Sequence, residues 1–299
     1  MQIPEFPNLI HYAIPFFIAT VIIEVILTVK VKTKDYQYKD AATSIAMGLG
    51  NVAIGLVSKA MILSIFYLMY NSFHLFEIPF VWWSYILILF AEDATYYWFH
   101  RISHENRFFW ASHIVHHSSQ KYNLSTALRQ TWTGSFTSFV FWIPLVLIGF
   151  HPLVIMFQMS ISLLYQYWIH TELIDKLPKW FEFIFNTPSH HRVHHATNPQ
   201  YLDRNHAGIF IIWDQIFGTF EPEVEKPVYG LTTNIDTFNP VKVAFAEWFG
   251  LLKDVFTSKT SLINRFKYFL KPPGWKHDGT GTLSTDMRKE WESKQKSER

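Results

Sequence analysis

The sequence predicts an all-α protein: an integral membrane helical bundle of about four or five membrane helices, one pair of them a hairpin, under a cytoplasmic helical cap that carries a histidine-rich di-metal site. Three observations point there. Hydrophobic residues make up 49% of the 299 residues, aromatics 18% and charged residues only 17%, against roughly one quarter charged in an ordinary soluble domain. The apolar residues gather into runs near the ~20 residues that a helix needs to cross a hydrocarbon core. Nine of the 15 histidines sit in three short boxes at helical spacing, and each box places its imidazoles on one helix face. The formal charge of +2 is too small to suggest a nucleic-acid partner. With no cysteine in the chain, disulfides, thiolate metal sites and a cysteine nucleophile are excluded, so any metal must be held by nitrogen and oxygen.

Taken in order, the first segment, MQIPEFPNLIHYAIPFF, lacks a positive leader and a small-residue cleavage site, so a retained signal anchor is expected. Residues 9–29 form the first membrane helix. Lys30, Lys32, Lys34 and Lys39 follow it, which places that end in the cytoplasm and the amino terminus on the far side. Residues 42–70 return the chain, and the loop Asn71–Glu77 has no Lys or Arg, in keeping with a non-cytoplasmic position. Lys59, inside this second run, carries no assigned role. Residues 78–99 cross a third time and end in Tyr96, Tyr97, Trp98 and Phe99, an interfacial aromatic belt, so His100 emerges at the cytoplasmic headgroup level. Asn123-Leu124-Ser125 has the form of a glycosylation acceptor, but its cytoplasmic position predicts no modification.

Residues 132–169 make two apolar runs separated by His151-Pro152, a helical hairpin short enough to penetrate only partway. From 170 to 270 no run is long and apolar enough to cross, which makes this stretch the cytoplasmic cap. Within it, Val241–Phe256 and then Leu262–Leu270 mix apolar and charged residues in the manner of interfacial helices. Residues 271–299 read as a polar, mobile tail. No internal repeat or second domain is evident, and the chain forms a single membrane domain.

The histidine boxes carry the chemistry. His100 and His104 stand at i and i+4. His113, His116 and His117 stand at i, i+3 and i+4, a spacing repeated by His191, His194 and His195, with His190 adjoining the last box as the ninth boxed histidine. His11, His74, His151 and His277 are solitary and read as ordinary polar residues. Crowded imidazoles repel one another when protonated and compete for donors when neutral, so a metal is expected among them. Imidazole suits Zn, Cu, Fe and Ni, and a tetrahedral zinc uses only four ligands. Nine candidates exceed one ion. Two metals with open positions account for them, and two irons suit oxygen activation on an acyl, alkyl or sterol chain.

HRISH at 100–104, HIVHH at 113–117 and HRVHH at 191–195 resemble the three boxes of the fatty acid hydroxylase and sterol desaturase superfamily of membrane di-iron enzymes. DATYYWFHR, HHSSQKYNLSTALRQ, WIHTE around His170, NTPSHHRVHHATN, GIFIIWDQIFGTF, VYGL and PPGW are most similar to its alkylglycerol monooxygenase branch. The likeness runs from about Asp93 to Trp275, with the hydroxylase-like region at about 93–220. It implies that His100, His104, His113, His116, His117, His170, His191, His194 and His195 are iron ligands. His190 is a neighbouring candidate, as a ligand or as a partner to one. Asp93, two helical turns before His100, is expected to orient a ligand imidazole or to make a helix-end hydrogen bond. Glu105 is expected near the site or at a reductant contact, with a solvated surface acid as the alternative. His206 falls where the family more often has an aromatic residue and is not counted as a ligand.

The resemblance further implies a membrane oxidoreductase in which two ferrous ions bind O2, an external reductant supplies electrons, and a lipid C–H bond is hydroxylated. In the alkylglycerol branch the hydroxylated carbon adjoins an ether oxygen, so the product collapses to an aldehyde and glycerol, with tetrahydrobiopterin as reductant. Sterol or fatty acyl hydroxylation or desaturation is the nearest alternative. A membrane zinc hydrolase is a distant one, since His104-Glu105 lacks the second histidine of HExxH. A metal transporter would gather such groups at the membrane midplane. The membrane is expected to be the endoplasmic reticulum in a eukaryote or the cytoplasmic membrane in a bacterium.

Overall fold

The computed structural model describes residues 5–31 and 36–297. Among these every regular element is a helix, and the one strand-like contact is an isolated bridge between Ala196 and Tyr229. Of the basic cluster used to orient the chain, Lys32, Lys34 and the side chain of Lys30 lie outside the described residues, while Lys39 is exposed.

Three long helices come first: α1 (Leu9–Val31), α2 (Tyr38–Phe73) and α3 (Trp82–Glu105). The first two are long and apolar enough to cross a membrane. They point Phe16, Ile22, Ile26, Leu49, Leu56 and Leu68 outward, a surface too large and apolar to face water. α3 does not stop at the aromatic belt around Phe99 but runs on through the first histidine box. Nothing in that stretch breaks a helix until Asn106, whose extended backbone (φ −134°) ends α3 and whose side chain accepts from Phe108 N to start the next helix.

That helix is α4 (Arg107–His117), and it is followed by α5 (Leu124–Ala127). The first arm of the hairpin is broken into α6 (Gly134–Ser138), a 3-10 turn at Phe139–Trp142, and α7 (Ile143–Ile148). The second arm is one helix, α8 (Pro152–Trp168), which His151 caps by accepting from Leu153 N. The tip sits level with the loop between α2 and α3, where Leu75 N and Phe76 N donate to Leu147 O and Ile148 O at 2.8 and 3.2 Å. Gly149 makes this approach at φ +122°, with the Phe76 carbonyl where a Cβ would stand, so only glycine fits. The hairpin therefore reaches as deep as α2 and α3 do. A core of Ile62, Phe66, Ile88, Trp142, Val146 and Ile155 fills the space between these helices.

At the other end lie α9 (Lys179–Ile184), α10 (Pro188–His194), α11 (Ile212–Ile216), α12 (Pro240–Thr257), α13 (Leu262–Leu270) and α14 (Ser284–Ser297). α12 packs Val243, Ala244, Leu251 and Val255 around α4 and leaves Val241, Phe249 and Phe256 exposed. Part of the tail expected to be mobile is helical and docked. Ser284 bonds the Asp203 carboxylate and Arg288 donates to Leu202 O, anchors that composition alone does not reveal. Two buried carboxylates join the long helices to this end. Glu24 of α1 accepts from Leu124 N at 2.8 Å and Thr171 Oγ1 at 2.5 Å. Asp40 of α2 pairs with Arg129 at 3.0 Å and accepts from Ser119.

Candidate metal centre

α4 presents its apolar face to α12 and its histidine face to α3 and α10. The result is a cage of imidazoles from four stretches of chain. His100, His104, His113, His117 and His194 form one group and His116, His170, His191 and His195 a second, and within each group the donor atoms lie within 4.8 Å of one another. The nine imidazoles that the sequence singled out as metal candidates are thus the nine that the fold gathers. The boxes do not map one to one onto the groups. His116 and His117 are consecutive yet serve different groups, as do His194 and His195, because neighbouring helical positions point about 100° apart. The rings of His117 and His195 stack across the divide, 4.4 Å between centroids.

Hydrogen bonding on the far side of four of the rings fixes which nitrogen faces inward. His100 Nδ1 lies 2.7 Å from His206 O, His116 Nδ1 3.3 Å from Arg129 O, His170 Nδ1 2.7 Å from Gln166 O and His194 Nδ1 2.9 Å from Arg204 O. A carbonyl only accepts, so each of these Nδ1 atoms carries the hydrogen and each Nε2 holds a lone pair. The Nε2 atoms of His116 and His170 nevertheless stand 3.1 Å apart, two lone pairs face to face. Only a cation between them makes that arrangement favourable. The other contacts repeat the motif: His100–His113, His113–His117 and His117–His194 at 2.9, 3.0 and 3.2 Å, and His170–His191 and His191–His195 at 3.0 and 3.2 Å.

Burial, reinforced by the neighbouring imidazoles, holds His113, His117, His191, His194 and His195 well below the ordinary histidine value and pushes His116 down to about 4. The rings are neutral at pH 7, the state that metal ligation requires. A buried, neutral, all-nitrogen donor set fits transition-metal ions.

Residues 85–219 match the family model described as Fatty acid hydroxylase. That stretch of the chain is similar to fatty acid hydroxylases. Human alkylglycerol monooxygenase is 42% identical to the chain over 275 residues, 91% of the chain and 61% of the relative. The Danio rerio protein of that name is 42% identical over 277 residues, with the same coverage. An ornithine lipid hydroxylase of Rhizobium tropici is 27% identical over 153 residues, 50% of the chain and 46% of that protein. The chain spans about three-fifths of the length of the alkylglycerol monooxygenases it matches most fully. No solved structure matches it significantly.

All nine gathered histidines fall inside the stretch matched by that family model, residues 85–219, and the groups that brace them explain the remaining candidates. Asp93 touches no imidazole. Its carboxylate accepts from Ile209 N (2.7 Å), Phe210 N (3.0 Å) and Trp213 Nε1 (2.9 Å), and so fixes the loop whose His206 carbonyl orients His100. Gly208 lets that loop close, since a Cβ there would stand 2.7 Å from Asp93 Oδ1. Glu105 pairs with Arg101 at 2.9 Å and is half exposed. His190 lies outside both groups, its ring against Phe220 and its Nδ1 without a partner.

Two acids of the matched stretch went unnoticed in the sequence. Asp214 accepts from His206 N and Ala207 N at 2.8 Å each and from Thr219 Oγ1 at 2.6 Å. Asp203 lies 3.3 Å from His104 Nδ1 and adopts φ +53°, as Asn205 adopts φ +57°, conformations that these two residue types tolerate. Neither acid belongs to a spaced motif. The only signal was the Asp203…Asn205 pair, a turn former just after the last box.

Proposed function

We propose that this protein is a membrane oxygenase that hydroxylates a lipid C–H bond with O2 and an external reductant, using two iron ions held by the two groups of imidazoles. The observation that carries this reading is the set of inward-facing lone pairs about 3 Å apart. For metal–nitrogen bonds of about 2.1 Å, donors at right angles stand about 3.0 Å apart and tetrahedral donors about 3.4 Å apart. The six contacts of the cage, 2.9 to 3.2 Å, favour right angles. Tetrahedral zinc fits them less well than a six-coordinate ion such as iron.

Bound iron supplies the activation of O2 that an unactivated C–H bond demands. The protein holds the donors in place: main-chain carbonyls fix the tautomers of His100, His116, His170 and His194, Asp203 orients His104, and burial keeps bulk water from the cage. Second partners of this kind typically change metal affinity or activity ten- to a hundredfold. The substrate class follows from the relatives, and we assign the alkyl ether of glycerol first. Hydroxylation next to its ether oxygen yields an aldehyde and a free glycerol, with a tetrahydropterin as electron donor. The likeness to an ornithine lipid hydroxylase supports a lipid substrate more broadly, which keeps fatty acyl and sterol chains as the second reading. We place the cage on the cytoplasmic side of a single membrane domain, with α1, α2, α3 and the hairpin of α6 to α8 in the bilayer.

The test has two parts. Metal analysis of the purified protein should give about two irons per chain, and one zinc would overturn the assignment. Membranes supplied with labelled alkylglycerol, fatty acid and sterol, each with and without tetrahydropterin, should release aldehyde from the ether lipid only when the pterin is present. Turnover of the sterol or the fatty acid alone would move the substrate to the second reading.

A further inference from the structure

His206 is the imidazole left over by the two groups. It is fully buried, at 0% exposure, and neither of its ring nitrogens has a well-formed hydrogen bond, although the Asp203 backbone carbonyl stands close enough to one of them to interact. One of them must carry a hydrogen, and a buried N–H without a well-placed acceptor is costly to keep. The ring packs against three members of the five-histidine group, with centroids 5.1 Å from His104, 5.6 Å from His194 and 5.8 Å from His100. Its backbone is pinned on both sides: N donates to Asp214 Oδ1 at 2.8 Å, and O accepts from His100 Nδ1 at 2.7 Å. The ring is therefore held against the cage by the main chain, independently of what its own nitrogens bond.

His206 does not belong to the five whose donor atoms all lie within 4.8 Å of one another. Donors on one ion cannot be farther apart than twice a metal–nitrogen bond, about 4.2 Å, so His206 stands outside the ligand set. Five imidazoles on an ion that accepts six donors leave one position for a small ligand from solution. A ring one layer beyond the donors, with a hydrogen to give, is placed to serve that ligand. We propose that His206 donates a ring hydrogen bond to the small exogenous ligand of the five-histidine centre. This rests on the two-metal reading above, and the experiment separates the two.

The protein is loaded with Co(II), and azide is titrated in while the cobalt absorption is followed, for the parent and for His206→Phe and His206→Gln. The parent should take up about two cobalt ions and show azide binding. The Phe variant should keep its cobalt but bind azide about tenfold or more weakly in one phase, the loss expected when a charge-assisted hydrogen bond is removed. Binding at the four-histidine centre is the internal control and should not move. The Gln variant, which keeps a donor, should recover most of the affinity. Unchanged azide binding in a cobalt-loaded Phe variant overturns the proposal, and so does loss of one cobalt from it, which would make His206 a ligand. A parent that takes up no cobalt overturns the metal reading itself. If the Phe variant loses its helical spectrum, His206→Met, also without a donor, replaces it under the same criteria.

Discussion

Asp93 and Asp214 do their work two bonds away from the imidazoles. Each accepts from main-chain N–H groups of the 206–210 loop, and that loop lends its carbonyl to His100. Asp93→Asn turns one acceptor into a donor facing an N–H. It is expected to weaken metal binding about tenfold to a hundredfold while the helical spectrum persists, which a competition titration with a chelator checks. Arg129 is another buried residue of this kind, 1% exposed and paired with Asp40. Arg129→Met leaves that carboxylate buried without its cation, and a loss of about 3–5 kcal/mol is expected, read from thermal unfolding in detergent. Eight of the imidazoles were legible in the sequence because their spacing repeats and nothing else explains such crowding, whereas the solitary His170 was named only through the family resemblance. Asp214 and Asp203 were not, since a lone acid bonded to backbone donors leaves no pattern in a sequence. Asn123 shows the converse: its acceptor motif is plain, yet its side chain is buried and bonded to Ser125 N, which adds a steric bar to the expected lack of modification.

At the scale of elements, hydropathy located α1 and α2 closely, because nothing competes with a long apolar run. It placed the third crossing at 78–99, while the helix that contains most of that stretch is α3, Trp82–Glu105, since a helix continues wherever no capping residue stops it, and that residue is Asn106. The 3-10 break at Phe139–Trp142 was also invisible, for both states accept the same apolar side chains. α4 is the most demanding element, with its two faces committed to α12 and to the cage. One alanine inserted between Val115 and His116 would turn His116 and His117 by about 100° relative to His113. Both centres should then lose metal while the far-UV spectrum changes little, and metal analysis beside circular dichroism would show it.

For the whole molecule, the gathered imidazoles tie stability to acidity. In the metal-free protein, burial pushes His116 and His190 down to about 4. Between about 6.5 and 4 the unfolded chain therefore binds protons that the folded chain refuses, and stability falls as the pH falls through that window. Asp214, pushed up to about 6 by burial, and Glu221, also pushed up by burial, act in the opposite sense, but they are outweighed by many imidazoles. The melting temperature of metal-free protein should be lower at pH 5 than at pH 7.5, and bound metal should raise it at both. Topology is equally testable, because the chain has no cysteine of its own. Ser72→Cys at the end of α2 and Thr257→Cys at the end of α12, both exposed, should be labelled by an impermeant maleimide from opposite sides of sealed vesicles.

The division of His116 from His117, and of His194 from His195, bears on how the molecule is made. Each centre draws on residues before 118 and on residues after 190, so neither is complete until the ribosome has released the last box and the hairpin between has been inserted. An ion arriving sooner meets only a partial ligand set. On the proposed two-metal reading, metal delivery is deferred to the closing steps of biogenesis, and a nascent chain that stalls before residue 190 has no finished cradle in which to trap an ion.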